Sequence, residues 1–410
     1  MHGLTAYRAA LSVPGAGGPA LFSALGRLPV AMYALATLLY LQGVTGSFAT
    51  AGLVSAGSLV GVALGSVLQG RWMDRLGPTR PILVVAALFA AAVAALVVAV
   101  EVRAPLAVLV ATALVAGLVQ PALPGASRAL WGRLIRPGAL RAAAYNYEAI
   151  SMEVFFILGP ALAAFLVAAP WPGTGLVVAA TAGVVGTVGF ALTGAARIAR
   201  PEPSGGSRLG PMGVLVLPGV RTVALAGLGF GLVVGGVEVG IPAVAAEAGS
   251  RVLGGILISA WSVVSVLAGV LYALRPWPRP LHLRLPVLLG AFGVLVAAMA
   301  PAAATGSLPL LVVVMLVAGS VITPQMTGQS LALEVVTPPG TATEAFGWVV
   351  TAITLGVAAG QSAAGWAVET AGVPAAFLAS GLAGAVLGVV LWLRRHTLAP
   401  APEPRPVAVR

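Results

Sequence analysis

Residues 70–80 read Gly70-Arg71-Trp72-Met73-Asp74-Arg75-Leu76-Gly77-Pro78-Thr79-Arg80. Asp74 is the only aspartate in the 410 residues, and three arginines flank it. The stretch is a short cationic loop between two long apolar runs. A lone carboxylate in such a place needs a specific partner.

The apolar runs continue through the chain. It is 59% hydrophobic and 8% charged, with a mean hydropathy of +1.04. A soluble domain carries about 25% charged residues, so this chain cannot cover a water-facing surface and belongs in a lipid bilayer. There is no cysteine, which excludes disulfides and thiolate metal sites. His2, His282 and His396 fall in expected loops or tails, so no histidine metal cluster and no cofactor is expected. All 22 basic residues are arginine, in a composition rich in Ala, Gly, Val and Pro that suits a GC-rich genome. The net charge of +11 does not indicate nucleic acid as a partner, because the arginines sit in short loops between apolar spans.

A helix needs about 20 apolar residues to cross the hydrocarbon core. Runs of that size fall near 19–41, 47–69, 80–100, 105–126, 142–168, 174–196, 221–244, 252–274, 285–302, 307–332, 345–367 and 374–393. The fold class is therefore all-α, with twelve membrane-spanning helices and both termini on one side. With arginines assigned to alternating loops, 19 fall on that side, only Arg103 and Arg251 on the other, and Arg27 within the first span. This bias places both termini in the cytoplasm of a cell whose cytoplasmic membrane the chain crosses many times. Four regions follow: a first six-helix bundle over 1–196, a cytoplasmic linker over 197–220, a second bundle over 221–393, and a disordered Pro-rich tail over 394–410. No small-residue cleavage site precedes a separate mature domain, so no removable signal peptide is read.

The two halves repeat at a spacing of about 201–204 residues. Ala116-Gly117-Leu118-Val119 returns as Ala318-Gly319-Ser320-Val321, followed by Pro121 and Gly125 in one half and Pro324 and Gly328 in the other. Ala144-Tyr145-Asn146-Tyr147 with Gly159 corresponds to Ala345-Phe346-Gly347-Trp348 with Gly360, and Gly46-Ser47 to Gly249-Ser250. Each match alone is weak in so Ala/Gly/Val-rich a chain; the shared offset is not.

The loop at 70–80 resembles the signature G-x-x-x-D-R-x-G-x-x-R of the major facilitator superfamily, between its second and third helices. Two parallel six-helix halves are that family's architecture, with the site at their interface near the midplane. The resemblance covers nearly the whole chain and implies a secondary transporter. The equivalent loop of the second half, Arg275-Pro276-Trp277-Pro278-Arg279-Pro280, lacks the acid. The resemblance gives Gly70, Asp74, Arg75, Gly77, Arg80 and Arg128 a gating role: Asp74 braces the second helix against the start of the eleventh, near Thr343-Glu344, with Arg75 and Arg128 as charge partners. Arg71 and Arg80 also read as topology-setting arginines only.

Ionisable groups at membrane depth are functional candidates by default. Arg27, Glu148, Glu153 and Glu238 qualify. The repeat aligns Gly18 with Arg221, so Arg27 lies nine residues in, roughly 13 Å at 1.5 Å per residue. Counted from Arg141, Glu148 lies roughly 10 Å and Glu153 roughly 18 Å deep. Arg27 is expected to pair with one of them, since glutamates five residues apart point some 140° from each other. The competing reading sends Arg27 and Glu148 to the cytoplasmic surface. Glu238, within Gly235-Gly236-Val237-Glu238-Val239-Gly240, is either a proton or cation site or an outer-interface group. The resemblance has the first, fourth, seventh and tenth helices lining the cavity, which makes Tyr33, Thr37, Gln120, Gln325 and Gln329 candidate substrate contacts; they serve equally as interhelical hydrogen-bonding groups.

Phe155-Phe156-Ile157-Leu158-Gly159-Pro160-Ala161-Leu162-Ala163-Ala164 resembles a degenerate antiporter signature G-x-x-x-G-P-x-x-G-G. Gly159 and Pro160 are then hinge residues. Phe155 departs from that signature, and 105–126 lacks the arginine usual in the fourth helix of drug–proton antiporters. The leading expectation is proton-coupled efflux of a small organic molecule such as a drug, sugar or metabolite, by a monomer. The alternatives are an uptake symporter or uniporter, or a non-transporting membrane sensor. No nucleophile–base set or phosphate loop points to an enzyme; Gly227-Leu228-Gly229-Phe230-Gly231 is helix packing.

Overall fold

The computed structural model describes residues 4–46, 48–167, 169–199, 212–249, 251–274 and 280–399. Its regular elements are all helical. After α1 (Leu4–Leu11), the first half comprises α2 (Gly17–Leu25), α3 (Leu28–Thr45), α4 (Phe48–Leu76), α5 (Thr79–Glu101), α6 (Leu106–Leu118), α7 (Leu123–Leu134), α8 (Ala139–Val167), α9 (Thr174–Leu192) and the short α10 (Gly194–Ile198). The second comprises α11 (Pro218–Glu247), α12 (Arg251–Leu274), α13 (Leu281–Ala297), α14 (Met299–Ala304), α15 (Leu308–Gly319), α16 (Ile322–Val336), α17 (Ala342–Ala371) and α18 (Val373–Leu393). Eleven spans among the described residues are long and apolar enough to cross a membrane. The fifth expected span is the 29-residue α8, long enough to cross but carrying Arg141, Glu148 and Glu153. All twelve expected spans therefore fall on helices.

Several spans are broken. The first is α2 plus α3, interrupted at Gly26-Arg27. The fourth is α6 plus α7, interrupted around Gln120-Pro121, and its repeat mate, the tenth, is α15 plus α16, interrupted at Ser320-Val321. Non-helical backbone at membrane depth must be satisfied by neighbouring protein. For the fourth span Gln69 of α4 does this: its Nε2 donates to the carbonyls of Leu118 and Gln120, each at 2.9 Å, and its Oε1 accepts from Ala122 N at 2.9 Å.

Each half has its own core. Tyr33, Phe89, Leu96, Leu109 and Leu176 lie in one cluster. In the second, Phe230, Phe292 and Trp261 stack at centroid distances of 5.6 and 6.2 Å. Two short turns lie in the described parts of the expected linker and tail. Gly213–Val216 form a 3-10 turn with Val214 buried. Arg395–Leu398 form another, with Leu398 buried and Thr397 Oγ1 2.9 Å from Thr222 Oγ1. Apolar side chains, Val214 and Leu398, hold both turns against the second bundle; the expected linker at 200–211 and the expected tail at 400–410 lie outside the described residues.

Candidate functional site

The halves meet at the end where the arginines gather. Asp74, at the last turn of α4, accepts hydrogen bonds from Thr343 N at 3.1 Å and Glu344 N at 2.7 Å. These are unpaired amides in the first turn of α17, where the N-cap residue Thr341 makes no side-chain cap. A carboxylate from the other half thus caps that helix and meets its positive dipole end. Gly70 permits the approach: a Cβ there would lie 2.6 Å from Thr343 O. Gly77 turns the chain after Leu76 at φ +80°, a conformation glycine adopts without strain.

Arg71, expected only to set topology, binds Glu344: Nε to Oε1 is 3.0 Å, and that oxygen also accepts from Val214 N at 3.2 Å. Arg75 and Arg80 are exposed. Among the described residues neither Arg75 nor Arg128 forms an ion pair with Asp74; Arg133 is the arginine within its electrostatic range. Arg141 of α8 pairs with Glu334 of α16. Asn146 Nδ2 donates to Gly269 O at 2.7 Å, and Thr327 Oγ1 donates to Asn146 Oδ1 at 3.0 Å. Ser66 Oγ donates to Gly347 O at 3.2 Å. This seam closes the arginine-rich end.

Just inside it lies a dry charge cluster. Arg27 occupies the break between α2 and α3 and pairs with Glu148; both are 0% exposed, so neither reaches the surface. Arg27 also donates to Ser151 Oγ at 2.7 Å. Ser127 Oγ and Trp131 Nε1 each donate to Glu148 Oε1 at 2.8 Å. Arg128, 5% exposed, stands over the Phe346 ring of α17 at 5.9 Å.

Glu153 points elsewhere. It lies beside Ser262 of α12 and within electrostatic range of Glu238 of α11. Glu238 Oε2 accepts from Gln361 Nε2 at 2.9 Å. Both glutamates keep some accessible surface, and neither pairs with a basic residue among the described ones. Carboxylates from opposite halves thus lie within electrostatic range of each other.

The remaining candidates are dispersed. Tyr33 and Thr37 are buried in the first half's own core, Tyr33 against Phe89 at 5.8 Å. The backbone carbonyl of Gln120 is taken by Gln69. Gln325 and Gln329 are buried with both side-chain polar atoms unpartnered. Gln329 lies near Gly227 of α11. α8 runs unbroken through Gly159 and Pro160; a Cβ on Gly159 would lie 2.8 Å from Ala31 Cβ, so α8 and α3 cross closely.

Two bundles, a repeat of broken spans and a capped seam describe a known architecture. The sequence profile of the Major Facilitator Superfamily matches residues 20–336. The chain belongs to the major facilitator superfamily. It is a membrane transporter and not an enzyme. The human organic anion transporter MFSD10 (TETRAN) superposes with a TM-score of 0.73 at 17% identity, over 92% of this chain and 98% of that one. A bacterial homologue of the iron transporter ferroportin, in an outward-facing state, gives 0.73 at 16%, over 93% and 99%. The E. coli fucose:proton symporter FucP gives 0.68 at 14%, over 94% and 99%. At these identities the likeness is one of fold. No curated protein sequence matches the chain.

Proposed function

We propose that this transporter exports a small organic molecule across the cytoplasmic membrane in exchange for protons, with both termini in the cytoplasm. One chain contributes both halves and the whole seam, so the working unit is a monomer. Asp74, Arg71 and Arg141 act as the latch of the cytoplasmic end, and the conformation is the outward-facing one. The observation that carries the coupling is the pair Glu153 and Glu238, unpaired by any described cation and partly accessible between the halves. Sealing the outer end around two charged carboxylates costs their desolvation. Protonation removes that cost, so closure follows proton uptake and cargo leaves on the alternate stroke.

The test places the purified protein in liposomes under a pH gradient. Lumenal pH is followed while drugs, sugars and amino acids are added, with Glu153→Gln and Glu238→Gln beside the wild type. A ligand-dependent proton flux that falls at least tenfold in one variant is expected. Ligand flux with no proton movement in any variant contradicts antiport and leaves a uniporter.

A further inference from the structure

Among the described residues Arg128 has no counter-ion of its own. Its Nε and one terminal nitrogen are buried without a hydrogen-bond partner. The nearby charges are Glu148 and Arg27, and Glu148 already receives Arg27, Ser127 and Trp131. Two guanidiniums and one carboxylate leave this dry layer with an excess positive charge. Among the described residues, the carboxylates nearest this end are also engaged: Asp74 by the α17 amides, Glu344 by Arg71, Glu334 by Arg141. A guanidinium does not deprotonate in a protein, and an unpaired one at membrane depth is costly.

The lid over this group is Phe346, a residue of the opposite half. Gly125, three residues before Arg128 on α7, lies against the Phe346 side chain. When α17 moves away from α4 and α7, Arg128 loses that cover and faces the opening pathway. Its free nitrogens then present a fork suited to two oxygens of an oxyanion.

We propose that Arg128 is an anion-binding group of the cargo path, exposed when the arginine-rich end opens, and that the cargo carries a carboxylate or sulfonate. This rests on the transporter reading but not on proton coupling. The thermal midpoint of the full chain in detergent is measured with benzenesulfonate or its neutral analogue benzenesulfonamide. Benzenesulfonate is expected to raise the midpoint of the wild type and benzenesulfonamide to leave it unchanged. Arg128→Gln abolishes the rise, and without ligand its midpoint is no lower than the wild type's, because an unpaired buried charge has gone. Arg128→Lys, which keeps the charge but not the fork, gives a reduced rise. Asp74→Asn enlarges the rise, since apparent affinity scales with the open fraction. Equal responses to the two compounds, a full benzenesulfonate response in Arg128→Gln, or no response in either the wild type or Asp74→Asn overturns the assignment. A protein without proton coupling still gives these binding results, so the two proposals fail separately.

Discussion

Asp74→Asn unlatches the arginine-rich end. The wild-type carboxylate holds two amides of α17, and hydrogen bonds to a charged group contribute about 1.5–3 kcal/mol each. Asparagine keeps one acceptor, loses the charge facing the helix dipole and turns an N–H toward an N–H. Loss of even one bond shifts the open–closed equilibrium about tenfold or more, at 1.4 kcal/mol per decade. The chain has no cysteine, so a single engineered thiol reports without background. Val67→Cys sits in the seam, where a Cβ on Gly347 would come within 3.0 Å of the Val67 backbone. Its labelling by a water-soluble maleimide is expected to be slow alone and at least tenfold faster with Asp74→Asn. Equal rates contradict a latch at Asp74.

Glu148→Gln carries the largest cost in stability. It leaves Arg27 and Arg128 together in a layer where Arg27 and Glu148 have no exposure. Removing one partner of a buried pair costs about 3–5 kcal/mol. Arg27→Gln is expected to cost a similar amount. The double change Arg27→Gln with Glu148→Gln is expected to cost less than the sum of the two, because two facing amides bond to each other while the new carbonyl still serves Ser127 and Trp131, with Arg128 the one charge left in the layer. Unfolding in detergent, run as a double-mutant cycle, checks this. Additive losses show that the pair is not a coupled unit.

The span count, the repeat and the family were legible because hydropathy runs and loop arginines are local properties of the chain. Depth counting also brought Arg27 level with Glu148 and Glu153, and the angle between the glutamates meant that one partner would exclude the other. What local reading missed was helix phase and long-range pairing. The break at Gly26-Arg27 lies inside an uninterrupted apolar run, so no local pattern shows that Tyr33 packs on Phe89 and that Thr37 is buried. Gln69 carries no mark in the local pattern beyond being a lone amide opposite the Pro121 break, among glycines at 57, 61 and 65 that bring α4 close to α6. Arg71 with Glu344 and Arg141 with Glu334 pair residues from different halves, which no spacing along one chain reveals. Asn146 stands in the sequence only as part of the repeat, and it bridges two helices of the other half.

Protonation of Glu153 and Glu238 driving the exchange of states is the central claim. The most direct measurement is the distance between spin labels on cysteines at Leu76 and Val335, exposed positions at the arginine-rich ends of α4 and α16. At alkaline pH a short, narrow distribution is expected, with a longer population growing on acidification. The combined Glu153→Gln and Glu238→Gln variant is expected to show the longer distance at every pH. A single distance that ignores both pH and these substitutions contradicts the account.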